Sequence, residues 1–303
     1  MSLKITIALL TCTAAMACTP VTPTASGPAL DRPIKVATWN VEHLAERNDT
    51  GCRPRTDADY AELRRQAAAL DADVIAIQEV ENQAAAERVF DPALYDVVMS
   101  GRPVSARGGA CRGLPGKSIR QQAVGFAVRK GVPWTRNADV SDLALGNPDL
   151  RWGVDITVNG ATSLRLLSVH LKSGCNSGRA ASDPDCPVLF NQLVPLEKWI
   201  DDRATAGEAF AVLGDWNRRI SASSDQFYRE INDGDPVGSN LTIAAGSAPA
   251  TCKARYREFI DHIVTGTEAS ALVVPNSFAE YLYGVPEEQH PSDHCPVSVE
   301  FKL

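Results

Sequence analysis

Apolar residues along the chain fall into short continuous runs that alternate with segments of helical periodicity. Ile34–Asn40 is rich in strand-forming residues and predicts a strand that ends at Asn40. Within Asp57–Leu70, apolar residues recur every three or four positions, which predicts an amphipathic helix. Val74–Glu79 is an apolar run that closes on polar residues, so we predict a buried strand ending on a carboxylate.

The second half of the chain continues this alternation. Asn159-Gly160, a dipeptide typical of β-hairpin connections, lies between two predicted strands. The predicted elements of this half are strands at 153–158 and 163–171, a helix at Val188–Arg203, and strands at Ala209–Gly214, Glu258–Val264 and Pro296–Phe301. Hairpins mixed with βα units indicate an α/β (α+β) fold, namely a four-layer α/β/β/α sandwich of two packed mixed sheets. We expect residues 34–303 to form one domain, because no internal repeat or second linker interrupts them.

The first 33 residues differ from the rest in composition. Lys4 precedes an apolar stretch, Ile5–Ala17, that ends in a small-x-small pattern, so residues 1–17 are interpreted as a signal peptide. Residues 18–33 are rich in Pro and Thr and are interpreted as a linker. We therefore expect an exported protein. Cys18 follows the predicted cleavage site and resembles the acylated cysteine of bacterial lipoproteins, so an outer-membrane lipid anchor and free release into the periplasm or medium are both open.

Cysteine number supports export. Removal of the leader removes Cys12, and the six cysteines that remain beyond Cys18 are Cys52, Cys111, Cys175, Cys186, Cys252 and Cys295. An even number in an exported chain predicts disulfide bonds, and the lack of a CxxC pair argues against structural zinc. Cys175 and Cys186 bracket a short polar loop and are the most obvious pair. The other pairings are open.

The overall charge argues mildly against non-specific binding of polyanions. The chain is 44% hydrophobic and has a net charge of -7, although bound metal ions would add positive charge at an active site. One segment departs from this balance, since residues 101–130 hold seven basic residues and no acidic one. It is interpreted either as a nucleic-acid-binding patch or as an ordinary solvated loop. Its predicted substrate-binding residues are Arg107, Arg112, Lys117 and Arg120.

Polar side chains recur where the apolar strands end. They are Asn40, Glu79, His170, Asp215, Asn217, Asp261, Asp293 and His294. Taken singly, each is more often a helix cap, a turn residue or a structural hydrogen-bond donor than a functional group. Asp261 is the exception, since it lies inside the apolar run Phe259–Val264 and a buried carboxylate needs a partner.

Six short segments, taken in order, resemble the endonuclease/exonuclease/phosphatase superfamily, which includes deoxyribonuclease I and exonuclease III. The segments are Thr38-Trp39-Asn40, Ile77-Gln78-Glu79-Val80-Glu81-Asn82, Ser168-Val169-His170-Leu171-Lys172, Gly214-Asp215-Trp216-Asn217, Ile260-Asp261-His262-Ile263 and Ser292-Asp293-His294-Cys295-Pro296-Val297. The Gln-Glu-Val-Glu-Asn segment is similar to exported bacterial nuclease-like members. The resemblance covers Ile34 to Leu303. Trp216 and His262 depart from residues common at those positions, which bears on substrate fit more than on chemistry.

The resemblance implies a site for Mg²⁺ or Mn²⁺. Glu79 is similar to the family's carboxylate ligand, with Asn40 beside it and Asp293 as an assisting group. Carboxylate and amide oxygens are the ligands that these ions prefer.

The resemblance also implies the groups that handle protons. Asp215 is similar to the residue that orients or deprotonates the attacking water, and Asn217 positions it. Asp261 and His294 resemble an Asp–His pair that faces the phosphate, and His170 resembles a second histidine that donates to phosphate or leaving group.

Three functions are open from the sequence. The first is an exported, monomeric nuclease that cleaves DNA or RNA. The second is a phosphatase or a phospholipid phosphodiesterase that uses the same site. The third is a non-catalytic binding module, which would predict an incomplete catalytic set, whereas every position is filled here.

Overall fold

A computed structural model describes residues 30–104, 109–178, 183–221 and 224–303. The predicted signal peptide 1–17, Cys18, most of the linker 18–33 and Arg107 lie outside these ranges. Among the described residues, no helix is both long and apolar enough to cross a bilayer.

Strands dominate the chain order, with helices inserted between them. The strands are β1 (Ile34–Leu44), β2 (Val74–Val80), β3 (Tyr95–Met99), β4 (Gly109–Ala110), β5 (Ser118–Ile119), β6 (Ala123–Arg129), β7 (Trp134–Arg136), β8 (Val154–Val158), β9 (Leu164–His170), β10 (Ala209–Asp215), β11 (Thr242–Ile243), β12 (Asp261–Thr265), β13 (Ala279–Glu280) and β14 (Val297–Phe301). The α-helices are α1 (Asp57–Leu70), α2 (Gln83–Glu87), α3 (Asp185–Thr205), α4 (Gln226–Ile231) and α5 (Thr267–Leu272). Short 3₁₀ helices span Ser141–Ala144 and Glu287–Gln289.

The strands form two six-stranded mixed sheets. The first has the order β13-β14-β1-β2-β6-β3 and the second the order β11-β12-β10-β9-β8-β7, while β4 and β5 pair in a small separate ribbon. Each large sheet has one parallel pair at its centre, β1 with β2 and β9 with β10, and its other pairs are antiparallel.

Three apolar clusters account for the layers. The first cluster lies between the sheets and joins residues such as Val74 of β2 to Leu213 of β10. The second packs α1, through Leu63, on the outer face of the first sheet. The third packs α3, through Leu189 and Trp199, on the outer face of the second sheet. The predicted four-layer α/β/β/α sandwich is therefore confirmed.

Two predicted strand boundaries were wrong in ways that matter for the site. β1 does not end at Asn40 but continues to Leu44 through a register shift against β2. Glu42 and His43 adopt left-handed φ angles of 48° and 49° there. β12 begins at Asp261 rather than at Glu258, so the Asp261 carboxylate lies at the first position of the strand.

The hairpin around Asn159-Gly160 is present, because β8 and β9 pair with Val158 opposite Leu164. The connection is longer than a two-residue turn. Asn159 donates to Pro133 O at 2.8 Å and so extends the pairing toward β7.

The prediction of three disulfides is confirmed. The pairs are Cys52–Cys111, Cys175–Cys186 and Cys252–Cys295. The first ties the segment before β5 to the loop after β1, and the third ties the segment before β12 to the loop before β14.

Candidate active site

One end of the two-sheet sandwich collects polar side chains. Parallel pairing of β9 with β10 puts His170 beside Asp215, and antiparallel pairing of β10 with β12 puts Asp261 on its other side. Gly214, with φ at 148°, allows the close approach of β10 to β9, because a Cβ there would lie 2.0 Å from Val169 O. The ends of β9 and β10 and the start of β12 therefore place His170, Asp215 and Asp261 side by side.

Three side-chain pairs then connect one sheet to the other. They are Asn40 Nδ2 with Asp215 Oδ2 at 3.0 Å, Glu79 Oε1 with His170 Nε2 at 3.8 Å, and His294 Nδ1 with Asp261 Oδ2 at 2.6 Å. Asn217 joins them, since its backbone N–H donates to Asp215 Oδ1 at 2.8 Å. The residues predicted from the strand ends thus converge on one cleft.

Glu79 reaches this cleft because of an unusual backbone. Its φ is 60°, in the left-handed region, where β2 shifts register against both neighbouring strands. Such a conformation in a non-glycine residue persists only where surrounding contacts hold it. His43 N supplies one such contact by donating to Glu79 Oε2 at 3.0 Å.

Two residues of the site were missed by the sequence analysis, His43 and Arg151. His43 Nδ1 lies 3.3 Å from Glu79 Oε2 and 3.2 Å from Gln122 Nε2. Its approach depends on the left-handed turn after Asn40, which no local sequence pattern indicated.

Arg151 comes from the loop before β8. Its Nη2 donates to Leu171 O at 3.3 Å, and its buried Nε has no hydrogen-bond partner among the described residues. The charge lies near Glu79 and Asp215, and burial lowers the pKa of Arg151 while these carboxylates raise it. Arg151 forms no salt bridge with a carboxylate of the described residues. Its guanidinium is therefore available to bind an anion that enters the cleft.

Burial and neighbouring charges set the protonation of the cleft. Burial, followed by the nearby Asp261 charge, raises the pKa of Asp215 to about 7. Burial lowers the pKa of His170 well below its usual value, and the positive charges of Arg151 and His294 add to this.

His294 behaves in the opposite way to His170. Burial alone would lower its pKa, but the Asp261 carboxylate and its hydrogen bond outweigh burial, so the pKa of His294 lies well above its usual value. Of these two histidines, His294 is thus cationic and His170 neutral at neutral pH.

Two overlapping groups of side chains have ligand atoms close enough to share a metal ion. The first is Glu79, His170 and Asp215, and the second is Asp215, Asp261 and His294, with all ligand atoms of a group within 4.8 Å of one another. A buried His170 Nδ1 and a buried Asp261 Oδ1 have no partner among the described residues. The His170 atom that faces the first group is Nε2, which lies 3.8 Å from Glu79 Oε1 and 3.5 Å from Asp215 Oδ2. Two carboxylates and this imidazole nitrogen suit a divalent cation.

The other two predicted metal residues lie at the edge of this group. Asn40 donates to Asp215, and its Oδ1 accepts from Glu42 N at 2.9 Å. Asp293 Oδ1 lies 3.7 Å from His294 Nε2, and Asp293 N donates to Glu42 Oε2 at 2.7 Å. Their roles as ligands stay predictions.

The predicted basic segment is divided in space. Arg102 is buried and donates to Pro148 O, and Arg129 at the far end of β6 pairs with Asp71 at 2.7 Å. The segment around the β4–β5 ribbon, in contrast, lies near His43. There Arg112 is exposed, Lys117 donates to Asp49 O, and Arg120 Nη1 is 3.6 Å from Glu81 Oε1. Arg107 lies outside the described residues.

Several solved structures share this fold. The human Nocturnin catalytic domain with bound sulfate anion is 15% identical, with a TM-score of 0.60. The match covers 89% of this chain and 94% of that chain. The D. rerio TDP2 complexed with single strand DNA product is 18% identical, with a TM-score of 0.56, over 90% of this chain and 100% of that one. The 3′ phosphatase NExo from Neisseria, bound to product DNA hairpin, is 19% identical, with a TM-score of 0.56, over 89% and 100%.

Sequence comparison assigns the chain to a protein family. No curated protein sequence matches it. A profile of the Endonuclease/Exonuclease/phosphatase family matches residues 37–294, which include every residue of the cleft described above. The chain therefore belongs to the endonuclease/exonuclease/phosphatase family of phosphoric ester hydrolases.

Proposed function

We propose that the protein is a Mg²⁺- or Mn²⁺-dependent phosphodiesterase that cleaves nucleic acid. The observation that carries this proposal is the convergence of Glu79, Asp215 and His170 within 4.8 Å, beside the hydrogen-bonded His294–Asp261 pair. A metal-binding carboxylate next to groups that accept and donate protons is what hydrolysis of a phosphate diester requires.

Glu79 is the proposed main metal ligand, with Asn40 and Asp293 as assisting groups. When bound, the metal supplies positive charge to the phosphate oxygens. Asn40 holds Asp215 Oδ2 at 3.0 Å and so orders the adjoining carboxylate. Asp293 borders the cleft on the side of His294.

Asp215 is the proposed general base. Its pKa of about 7 lets the carboxylate accept a proton from water near neutral pH, and Asn217 N fixes the orientation of Oδ1. His294, held cationic by Asp261, faces the phosphate and donates to it. His170 is neutral and donates a hydrogen bond without adding charge. Arg151 adds a second positive charge for the phosphate.

Nucleic acid is the proposed substrate, DNA or RNA. Structures of this fold with a single-stranded DNA product and a product DNA hairpin support it. A phosphatase is the second candidate, since the structures of similar fold include a 3′ phosphatase and a 2′,3′-cyclic phosphatase.

We also propose export, with either a lipid anchor at Cys18 or free release, and a monomeric state. The three disulfides support export, because such bonds persist in oxidising compartments.

The test is hydrolysis by the mature protein. Single-stranded DNA, RNA, a sphingomyelin vesicle, bis(p-nitrophenyl) phosphate and a nucleoside 3′-monophosphate are each incubated with Mg²⁺, Mn²⁺ or excess chelator. Nucleic-acid cleavage that chelator abolishes and that Asp215→Asn lacks is the expected result. Release of phosphate from the monoester alone would favour the phosphatase, and no hydrolysis of any substrate would favour a binding module.

A further inference from the structure

Residues 250–257 form a tight hairpin-like loop beside the cleft. Ala250 N donates to Arg257 O at 3.0 Å, and Tyr256 N donates to Lys253 O at 3.1 Å. Cys252 is bonded to Cys295, the residue directly after His294. This basic loop, as we call residues 250–257, is thus held covalently next to the imidazole that faces the cleft.

A cavity of about 300 Å³ separates the basic loop from the active-site residues. Lys253, Tyr256 and Phe259 form part of its wall, and Asp261 and His294 form another part. This volume is within the range of small-molecule sites. A group attached to the phosphate at His294 would therefore extend into the cavity and meet the basic loop.

The basic loop carries concentrated positive charge. Lys253, Arg255 and Arg257 lie within five residues, and no carboxylate of the described residues lies within 4.0 Å of their charged groups. Arg219, which also lines the cavity, is paired with Glu258 at 3.6 Å. The cavity wall also holds the carboxylates of Glu258, Glu280 and Asp293. The phosphates of an anionic ligand would therefore contact the unpaired cations of the basic loop rather than the wall.

Tyr256 adds an aromatic surface to this charge. Tyr256 as a whole is 45% exposed, and the guanidinium of Arg255 lies 5.5 Å from the ring centroid. An exposed ring between cations is the arrangement that binds an unpaired base together with its backbone phosphates. A base inside a duplex is stacked on its neighbours, so it would not be free to cover the ring.

We infer that the basic loop and its cavity bind single-stranded nucleic acid next to the phosphate that is cleaved. Tyr256 stacks on a base that enters the cavity, while Lys253, Arg255 and Arg257 contact backbone phosphates. This inference rests on the proposed nuclease function and specifies which form of nucleic acid the site accepts.

Two sets of variants test it on the full mature protein. Tyr256→Ala removes the ring, Tyr256→Phe keeps it, and Lys253→Ala/Arg255→Ala/Arg257→Ala removes the charges. Lys198→Ala is the matched charge control, because Lys198 is exposed on α3 and pairs with Asp202. Each is assayed for KM and kcat on a single-stranded oligonucleotide and on bis(p-nitrophenyl) phosphate, and a duplex of the same sequence is the third substrate.

Tyr256→Ala should raise KM for the single strand about 5- to 100-fold, the effect of one stacked base, and Tyr256→Phe should restore most of it. Binding is measured in Asp215→Asn protein, which does not cleave the strand. There the triple substitution should weaken binding of the single strand and reduce the magnitude of the negative slope of log K against log salt by about 2. Equal losses on the oligonucleotide and on the small diester, or a duplex preferred over the single strand, would overturn the inference. Cleavage of the small diester with none of any nucleic acid would instead reject the proposed nuclease function.

Discussion

His294 Nδ1 lies 2.6 Å from Asp261 Oδ2, and this pair joins the second sheet to the loop that leads into the first. Asp261 starts β12 in the second sheet, while His294 lies in the loop that leads into β14 of the first. Correct packing of the two sheets is therefore a condition for keeping the imidazole charged.

Replacement of His294 tests its proposed role as a donor to the phosphate. His294→Ala should lower kcat by about 10²- to 10⁴-fold, the usual contribution of a positioned acid or base. A loss of less than a few-fold in steady-state assays of metal-saturated protein would contradict this role.

Asp261→Asn tests the pair through the pH profile. The Asp261 charge raises the pKa of His294, so without it the cationic imidazole should be lost at lower pH. The alkaline limb of kcat against pH should shift toward acid, with a smaller loss at the optimum than in His294→Ala. An unchanged alkaline limb would mean that another group sets it.

Glu79 offers a test that separates function from stability. Glu79→Ala and Glu79→Gly should both abolish turnover at limiting Mg²⁺. Because φ at this position is 60°, the glycine variant should be more stable than the alanine variant by about 1 kcal/mol. Metal titrations and urea unfolding measure the two effects, and wild-type activity in excess chelator would contradict the metal role.

His262 should make the folded protein sensitive to acid. Burial lowers the pKa of His262 from 6.5 to about 4, so the unfolded chain binds this proton more readily between those values. Stability should therefore fall as pH drops from 6.5 to 4, by up to about 3 kcal/mol. His262→Gln does not titrate, and its free energy of unfolding should depend less on pH than that of the wild type in urea titrations at pH 7 and 4.5. Identical pH dependence in both proteins would rule His262 out as the cause.

The disulfides predict that the six cysteines of the described residues carry no free thiol. Titration of the denatured, unreduced protein should detect none of the six cysteines beyond Cys18, since they form three pairs. Cys175→Ser/Cys186→Ser should lower the free energy of unfolding by about 3 kcal/mol, as expected for a short loop. Several reactive thiols would count against the proposed export as well.

The segment around β4 and β5 is the remaining predicted contact for nucleic acid. Arg112→Ala/Lys117→Ala should raise KM for DNA and flatten its salt dependence, because phosphate contacts release counterions. The loss on bis(p-nitrophenyl) phosphate should be much smaller. Equal losses on both substrates would assign these residues a structural role.

The sequence predicted residues that reach the cleft along regular strands. His170 and Asp215 end β9 and β10, so an apolar run that closes on a polar residue was enough to place them. Their common edge follows from parallel pairing.

Residues that depend on irregular backbone were not predictable in this way. His43 reaches Glu79 only through consecutive left-handed residues, and Arg151 arrives from a loop. The basic segment shows a related limit, since counting charges along residues 101–130 ignores that β6 carries Arg129 to a salt bridge with Asp71, away from the β4–β5 ribbon. The substrate-binding roles of Arg112, Lys117 and Arg120 stay predictions. Chain order alone contains none of this three-dimensional information.

In an exported protein, the bond between Cys252 and Cys295 would couple maturation to the proposed activity. A chain still in a reducing compartment has every residue of the cleft but lacks the link that holds residues 250–257 against it. If export occurs as proposed, this link forms only after the chain has left the cytoplasm. The cell that makes such a hydrolase would be spared damage to its own genome and transcripts, since full competence would arise only outside the compartment that contains them.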